Sequence, residues 1–316
     1  GMTYVVISLV ASSLFLVGIS LVYASTATVN LAELSVEVGR IDPAMRLALA
    51  VVFLIVFGIK AALFPLCFWL PDSYPNAPSP VAAIFAALFP EVVPTWLLMT
   101  LAVSTMLVGV LGAIAQDDLR RLLSFLIISS IGFMLVGVGL FTVAGITAAI
   151  MYMINQVVLK SGMFLAGGLV EQSGGSARLS ELSGMIRRAP IVALLFIIPA
   201  WSLIGIPPMA GFPTKFVLFD AAADGDHWWV LGFAVIAALL TLFAIMRAFV
   251  AIFWGPDTDD PVRHIPRLMI APTLVLAILM VAMGVFAGPF YEFCHRAAID
   301  LLNPQGYLDG VLGGGS

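Results

Sequence analysis

Long apolar stretches separated by short polar gaps dominate the chain, with uninterrupted runs near residues 5–24, 44–69, 95–115, 122–143, 147–170, 228–254 and 268–290. Runs of about 18 residues or more, wound as helices, cross roughly 30 Å of hydrocarbon. An eighth region, 190–223, is long enough but interrupted: Ile206-Pro207-Pro208-Met209-Ala210-Gly211-Phe212-Pro213 separates two half-helices. Proline removes a backbone donor and clashes with the preceding turn, so a break of this kind survives in lipid only where protein or a polar cavity satisfies the freed groups. A second break falls after Lys60, at Phe64-Pro65. Residues 81–89, bracketed by Pro80 and Pro90, make a stub of about 13 Å as a helix, less than half a bilayer.

Composition agrees with the pattern. Of 316 residues, 62% are hydrophobic and 10% charged, against about 25% charged in soluble domains, so the solvent for most of this surface is a membrane. The net charge of -4 and the lack of a basic run exclude nucleic acid as a partner. Cys67 and Cys294 are too few and too distant for a disulfide framework and read as buried thiols. His227, His264 and His295 fall at span ends or in gaps without metal-ligand spacing, and no nucleotide loop or nucleophile motif is present. The chain is expected to hold no metal or cofactor and to be a transporter rather than an enzyme. The ends, Gly1-Met2 and Gly313-Gly314-Gly315-Ser316, read as a protease scar and a linker remnant, and no cleavable signal is visible.

Charge placement supplies the candidate chemistry. The eleven arginines lie in gaps or toward helix ends, where long side chains reach the interface. With one crossing for 190–223 and none for 81–89, nearly all of them fall on one side, and the positive-inside rule then gives eight crossings. The three lysines behave differently: Lys60 and Lys160 lie within apolar runs, and Lys215 follows the 206–213 break. Each mid-membrane charge costs at least ~2.5–3.5 kcal/mol. A buried lysine can alternate between charged and neutral forms, whereas arginine stays protonated. Tyr152, Gln156 and Lys160 recur at i, i+4 and i+8, one helix face, and could carry a proton or water wire. Asp72, in Trp69-Leu70-Pro71-Asp72, reads as a helix-end acid, and Asp220 as a helix-end acid or the partner of Lys215. Glu91, Asp117 and Asp118 read as solvated gap residues.

The stretch from Gly58 through Lys60 and Pro65 to Val81 closely resembles the antiporter-like subunits shared by Mrp-type multisubunit Na+/H+ antiporters and the membrane arm of respiratory complex I, the D-type subunits of Mrp antiporters above all. Matching segments continue with Gln116-Asp-Asp-Leu-Arg-Arg, Ile131-Gly-Phe-Met-Leu, Lys160-Ser-Gly-Met-Phe and Gly205-Ile-Pro-Pro-Met-Ala-Gly-Phe-Pro-Thr-Lys215. The resemblance implies an all-α bundle of transmembrane helices with discontinuous helices, part of an inverted-repeat fold. Residues 1–90 would be a remnant of the first repeat, 91–254 the second, and 255–316 a C-terminal helix and tail. It implies a multi-pass protein of the cell's inner (plasma) membrane, partnered by other subunits of a complex and by lipid. Lys60 and Lys215 would be the broken-helix lysines and Lys160 the lysine of the connecting proton path, coupled to Na+ transport. A proton-pumping subunit of a redox-driven complex and an inactive scaffold fragment stand as alternatives.

The chain departs from the family in three places. No glutamate is present to pair with Lys60, the helix expected after Val81 stops at nine residues, and Asn155 and Gln156 stand where histidines are common. Restoring the missing helix would place Arg40 and Arg46 opposite the other basic gaps, so the charge rule and the resemblance disagree about the first two spans.

Overall fold

The computed structural model describes residues 2–71, 94–255, 267–303 and 305–312. Among these the regular structure is all helical, with no strand. In chain order the helices are α1 (Met2–Thr26), α2 (Leu31–Glu37), α3 (Pro43–Ala61), α4 (Thr95–Ile114), α5 (Leu119–Gly139), α6 (Val143–Gly174), α7 (Met185–Arg188), α8 (Pro190–Ile204), α9 (Gly211–Asp224), α10 (Trp228–Phe253), α11 (Arg267–Val285), α12 (Ala287–Leu302) and α13 (Gln305–Leu312). Seven of them (α1, α3, α4, α5, α6, α10 and α11) are long and apolar enough to cross a membrane, and α8 is a shorter apolar helix. Residue 72 and the stub at 81–89 lie outside the described residues, as do Glu91 and His264.

The apolar runs mark the spans well, with one shortening. The run at 44–69 stops being a helix at Ala61, because Ala62 turns into the left-handed region at φ 54 and closes the last turn with its own N–H. The following turns fold back on the bundle: the Phe64 N–H donates to Thr105 Oγ1 in the middle of α4, 3.1 Å away, and Trp69 Nε1 donates to Ile59 O at 2.9 Å. A side-chain hydroxyl and an indole thus satisfy backbone that would otherwise face hydrocarbon unpaired. The run near 268–290 is two helices, α11 and α12, bent at Phe286.

Helix α5 is the centre of the bundle, buried along nearly its whole length, and packs between α4 and α6. Small residues permit the approach: a Cβ at Gly132 would stand 2.6 Å from Ala102 O and 2.5 Å from Met106 N. At one end, the turn between α4 and α5 is clipped to the stretch after α6 by Leu119 N–H to Ala177 O at 2.9 Å and Leu179 N–H to Asp117 O at 2.7 Å. Asp117 and Asp118 are therefore structural rather than merely solvated. Asp118 caps α5 by accepting from the Arg121 N–H at 2.9 Å, and Asp117 accepts from Ser180 Oγ at 2.6 Å. Arg247 reaches over from α10 to donate to Ile114 O at 2.6 Å and to Gln116 O, satisfying the last carbonyl of α4 and one in the turn after it. The Arg120–Glu171 ion pair lies at this same end. At the opposite end of α6, Thr147 Oγ1 meets His295 Nδ1 of α12 at 3.3 Å.

Candidate functional site

Residues 190–224 fold as the break predicts, with α8 and α9 as half-helices on either side of a six-residue interruption. Gly205 ends α8 at φ 92, a left-handed conformation that costs glycine little. The two halves then touch directly. A Cβ on Gly211 would stand 1.6 Å from Ser202 O, and the Gly211 N–H donates to Ser202 Oγ at 3.3 Å. This contact needs glycine at 211 and a small hydroxyl at 202.

Lys215, one turn into α9, folds back across the break. Its side chain is buried, with 7% of its surface exposed. Nζ donates to Leu203 O and Ile204 O, each at 2.9 Å, and stands 5.3 Å from the centre of the Phe133 ring. Two carbonyls from the last turn of α8 carry the negative end of that helix dipole, and the ring face adds further negative potential. Asp220 is not the partner of Lys215. Five residues along one helix set the two about 140° apart, and Asp220 is exposed while Lys215 is buried. Carbonyls, which cannot themselves be protonated near neutrality, take the place of a carboxylate.

Lys160 lies in the middle of α6, half-buried, beside a small and mostly apolar cavity whose polar lining is Ser130 of α5 and Gln156. Leu203 also lines it, so one residue faces the Lys160 cavity while its carbonyl holds Lys215. Two turns and one turn before Lys160 on α6, Tyr152 is 1% and Gln156 3% exposed, while the Ser130 hydroxyl donates to Leu126 O of its own helix at 2.8 Å. Tyr152 stacks on Phe133 at 5.8 Å between ring centres, the same Phe133 that lies under Lys215. Gln156 Oε1 is buried without a hydrogen-bond partner.

The structure therefore brings Lys160, Gln156, Tyr152 and Lys215 into one region. Lys60 belongs to a second, between α1 and α3. It is half-buried in the last turn of α3, just before the break rather than after it, with Nζ 5.5 Å from the centre of the Phe15 ring. Cys67 and Cys294 are free and buried, as the cysteine count implies. Sequence reasoning missed Ser130, Phe133, Ser202 and the carbonyls of Leu203 and Ile204. Neither a serine in an apolar run nor a backbone carbonyl leaves a signal in composition; only the prolines and glycines of 205–213 flag the break at which those carbonyls become available.

Long apolar helices packed around a helix broken in mid-bundle form an architecture shared by membrane transport proteins built on discontinuous helices. Residues 1–241 match the family described as NADH:quinone oxidoreductase/Mrp antiporter, transmembrane, and the chain belongs to that family. It is 36% identical to the D-type subunit of the Na(+)/H(+) antiporter of Alkalihalophilus pseudofirmus, over 99% of this chain and 68% of that one. The matched stretch there is 333 residues, longer than this 316-residue chain, so the relative carries residues within it that this chain lacks. Among solved structures, a chain of the Mrp complex from a Dietzia species superposes with a TM-score of 0.88 at 30% identity, over 98% of this chain and 69% of that chain. A chain of the membrane-bound sulfane sulfur reductase, an archaeal respiratory membrane complex, gives 0.86 at 26% identity, over 97% and 66%. The protein is a multi-pass membrane protein of the antiporter-like class.

Proposed function

We propose that this chain is the proton-handling subunit of a cation/proton antiporter, assembled with other subunits in the plasma membrane and coupling proton movement to Na+. The observation that carries this reading is Lys215: a buried ammonium on two helix-terminal carbonyls, at a break in mid-bundle. A structural ammonium needs a permanent counter-charge, whereas a carrier needs a site that favours the cation yet tolerates its loss. Two carbonyl dipoles and a ring face meet the second requirement better than an ion pair would.

In this mechanism a proton reaches Lys215 from Lys160 through the region they share. Ser130, Tyr152 and Gln156 supply hydroxyl and amide groups that can pass hydrogen bonds beside Lys160, and the unpartnered Gln156 Oε1 offers an acceptor. Lys60, at the other break, would serve a second half-channel in the first repeat, 1–90, with 91–254 forming the second. A cation moving in the opposite sense would shift these lysines between their two states through their mutual electrostatics.

The test is coupled flux in vesicles holding the assembled complex. Lys60→Ala and Lys215→Ala are each expected to reduce Na+-linked proton movement to background while the complex still assembles. Full flux in both variants would overturn the reading. The likeness to an archaeal respiratory complex favours a second reading, in which the same lysines pump protons driven by redox subunits. Co-purification with iron–sulfur or flavin subunits would select it.

A further inference from the structure

Helix α11 lies beyond residue 241, where the family match ends, yet it is built into the break that holds Lys215. A Cβ on Gly284 would stand 2.0 Å from Pro208 O, 2.6 Å from Met209 C and 2.8 Å from Ala210 N. All three atoms are backbone, so a methyl group there cannot be accommodated by rotating a side chain. One turn earlier, Met280 O accepts a hydrogen bond from the Ala210 N–H at 3.2 Å. Met280 also reaches the other way. A Cβ on Gly162 would meet Met280 Cε at 2.3 Å, so the methionine side chain occupies a notch in α6 two residues beyond Lys160. A single turn of α11 is thus wedged between the helix that carries Lys160 and the break that carries the Lys215 carbonyls.

We infer that the Met280–Gly284 turn of α11 is a positioning strut that sets where the 205–210 break sits against α6, and hence how closely the Leu203 and Ile204 carbonyls meet the Lys215 ammonium. The inference rests on Lys215 being the proton carrier proposed above. Within the break, Met209 N–H bonds to Ile206 O and Ile206 N–H to Trp201 O, which shape the loop without fixing it to the rest of the bundle. The Ala210–Met280 bond and the Gly284 contact supply that tie. Electrostatic contacts in a water-poor interior weaken steeply with distance, so moving the break alters the balance between the charged and neutral lysine rather than packing alone. Gly284 and Met280 touch neither proton nor cation; they act through the loop.

The test compares three variants of the full chain in its assembled complex, in vesicles, measuring Na+-linked proton flux across a pH series. Gly288→Ala, where a Cβ would meet nothing within 4 Å, is the control and is expected to behave as the unaltered protein. Gly284→Ala is expected to lower flux about tenfold, the scale of a small misplacement at a reacting group, and to displace the midpoint of the pH profile by about half a unit or more. A residue that only packs would lower the amount of assembled complex without moving that midpoint. If Gly284→Ala does not assemble, Met280→Ala replaces it: it adds no atom and only empties the notch at Gly162 through which the strut bears on α6. That variant is expected to lower flux about fivefold, the scale of a small misplacement at a reacting group, again with a displaced midpoint. Full flux with an unmoved midpoint in assembled Gly284→Ala, or in Met280→Ala where that takes its place, overturns the strut. Full flux in Lys215→Ala sinks the reading of Lys215 itself, a distinguishable result.

Discussion

At the scale of single residues, what separates Lys215 from the arginines is where it meets its acceptors: buried at a break inside the bundle rather than at the polar ends of helices. Arg40 pairs with Glu37 and Arg178 with Glu181 near helix ends, and Arg247 closes a helix terminus. Lys215 meets two carbonyls and a ring face. Arginine at 215 would keep the cation but could not release its proton. Lys215→Arg is therefore expected to assemble normally and to carry no coupled flux, measured as acidification of loaded vesicles. Retained transport by that variant would mean the position needs only a positive charge. The sequence exposes Lys215 as anomalous because a charge beside a Pro/Gly break is rare, but it offered Asp220 as a partner only because the two are close in number. Helix geometry, five residues and about 140° apart, separates them.

At the scale of elements, breaks and caps carry the specificity. Helix α4 ends with the Ile114 carbonyl open, and the Arg247 guanidinium covers it together with the Gln116 carbonyl of the following turn, from a helix more than a hundred residues away. Removing it leaves those acceptors without their charged donor, at a cost of about 1–3 kcal/mol. Arg247→Ala is expected to speed amide hydrogen exchange in the α4–α5 turn and at the Asp118–Arg178 bridge, with little effect in α1 or α3. Unchanged exchange there would show that the cap is dispensable. The two breaks are also built differently. Lys60 precedes its break, in the last turn of α3, whereas Lys215 follows its own and reaches back to the last turn of α8. Both arrangements place a lysine near the C-terminal, negative end of a helix that stops at a break: Lys60 on that helix itself, Lys215 from the helix that follows.

Across the whole molecule, the contacts sort the bundle into two ends. Glu171 with Arg120, Ser180 with Asp117, and Arg247 over α4 define one; Thr147 with His295 defines the other. About 36 Å of α6 separates residue 147 from residue 171 at ~1.5 Å per residue, enough to cross the hydrocarbon. The positive-inside rule places the arginine-rich end in the cytoplasm. Single cysteines at Ser180 and at Asp300 are therefore expected to react with a membrane-impermeant maleimide from opposite faces, Ser180→Cys only in inside-out vesicles and Asp300→Cys only in right-side-out ones. Cys67 and Cys294 are buried and should stay silent. Labelling of both positions from one face would refute the topology.

The spans, the membrane setting and the anomalous lysines could be read from the chain alone, because hydrocarbon imposes a minimum apolar length and penalises charge residue by residue. Those are local constraints that leave a mark in the order of side chains. Which residues answer each lysine could not be read in this way. The Leu203 and Ile204 carbonyls, the Phe133 ring beneath Lys215, Ser130 in the cavity beside Lys160 and the α11 turn at Gly284 come together only when distant helices pack. Backbone carbonyls are common to every residue, so nothing in their letters marks the few that a break leaves open. Only the folded bundle selects them, because burial removes water as the competing partner and makes the nearest dipole decisive.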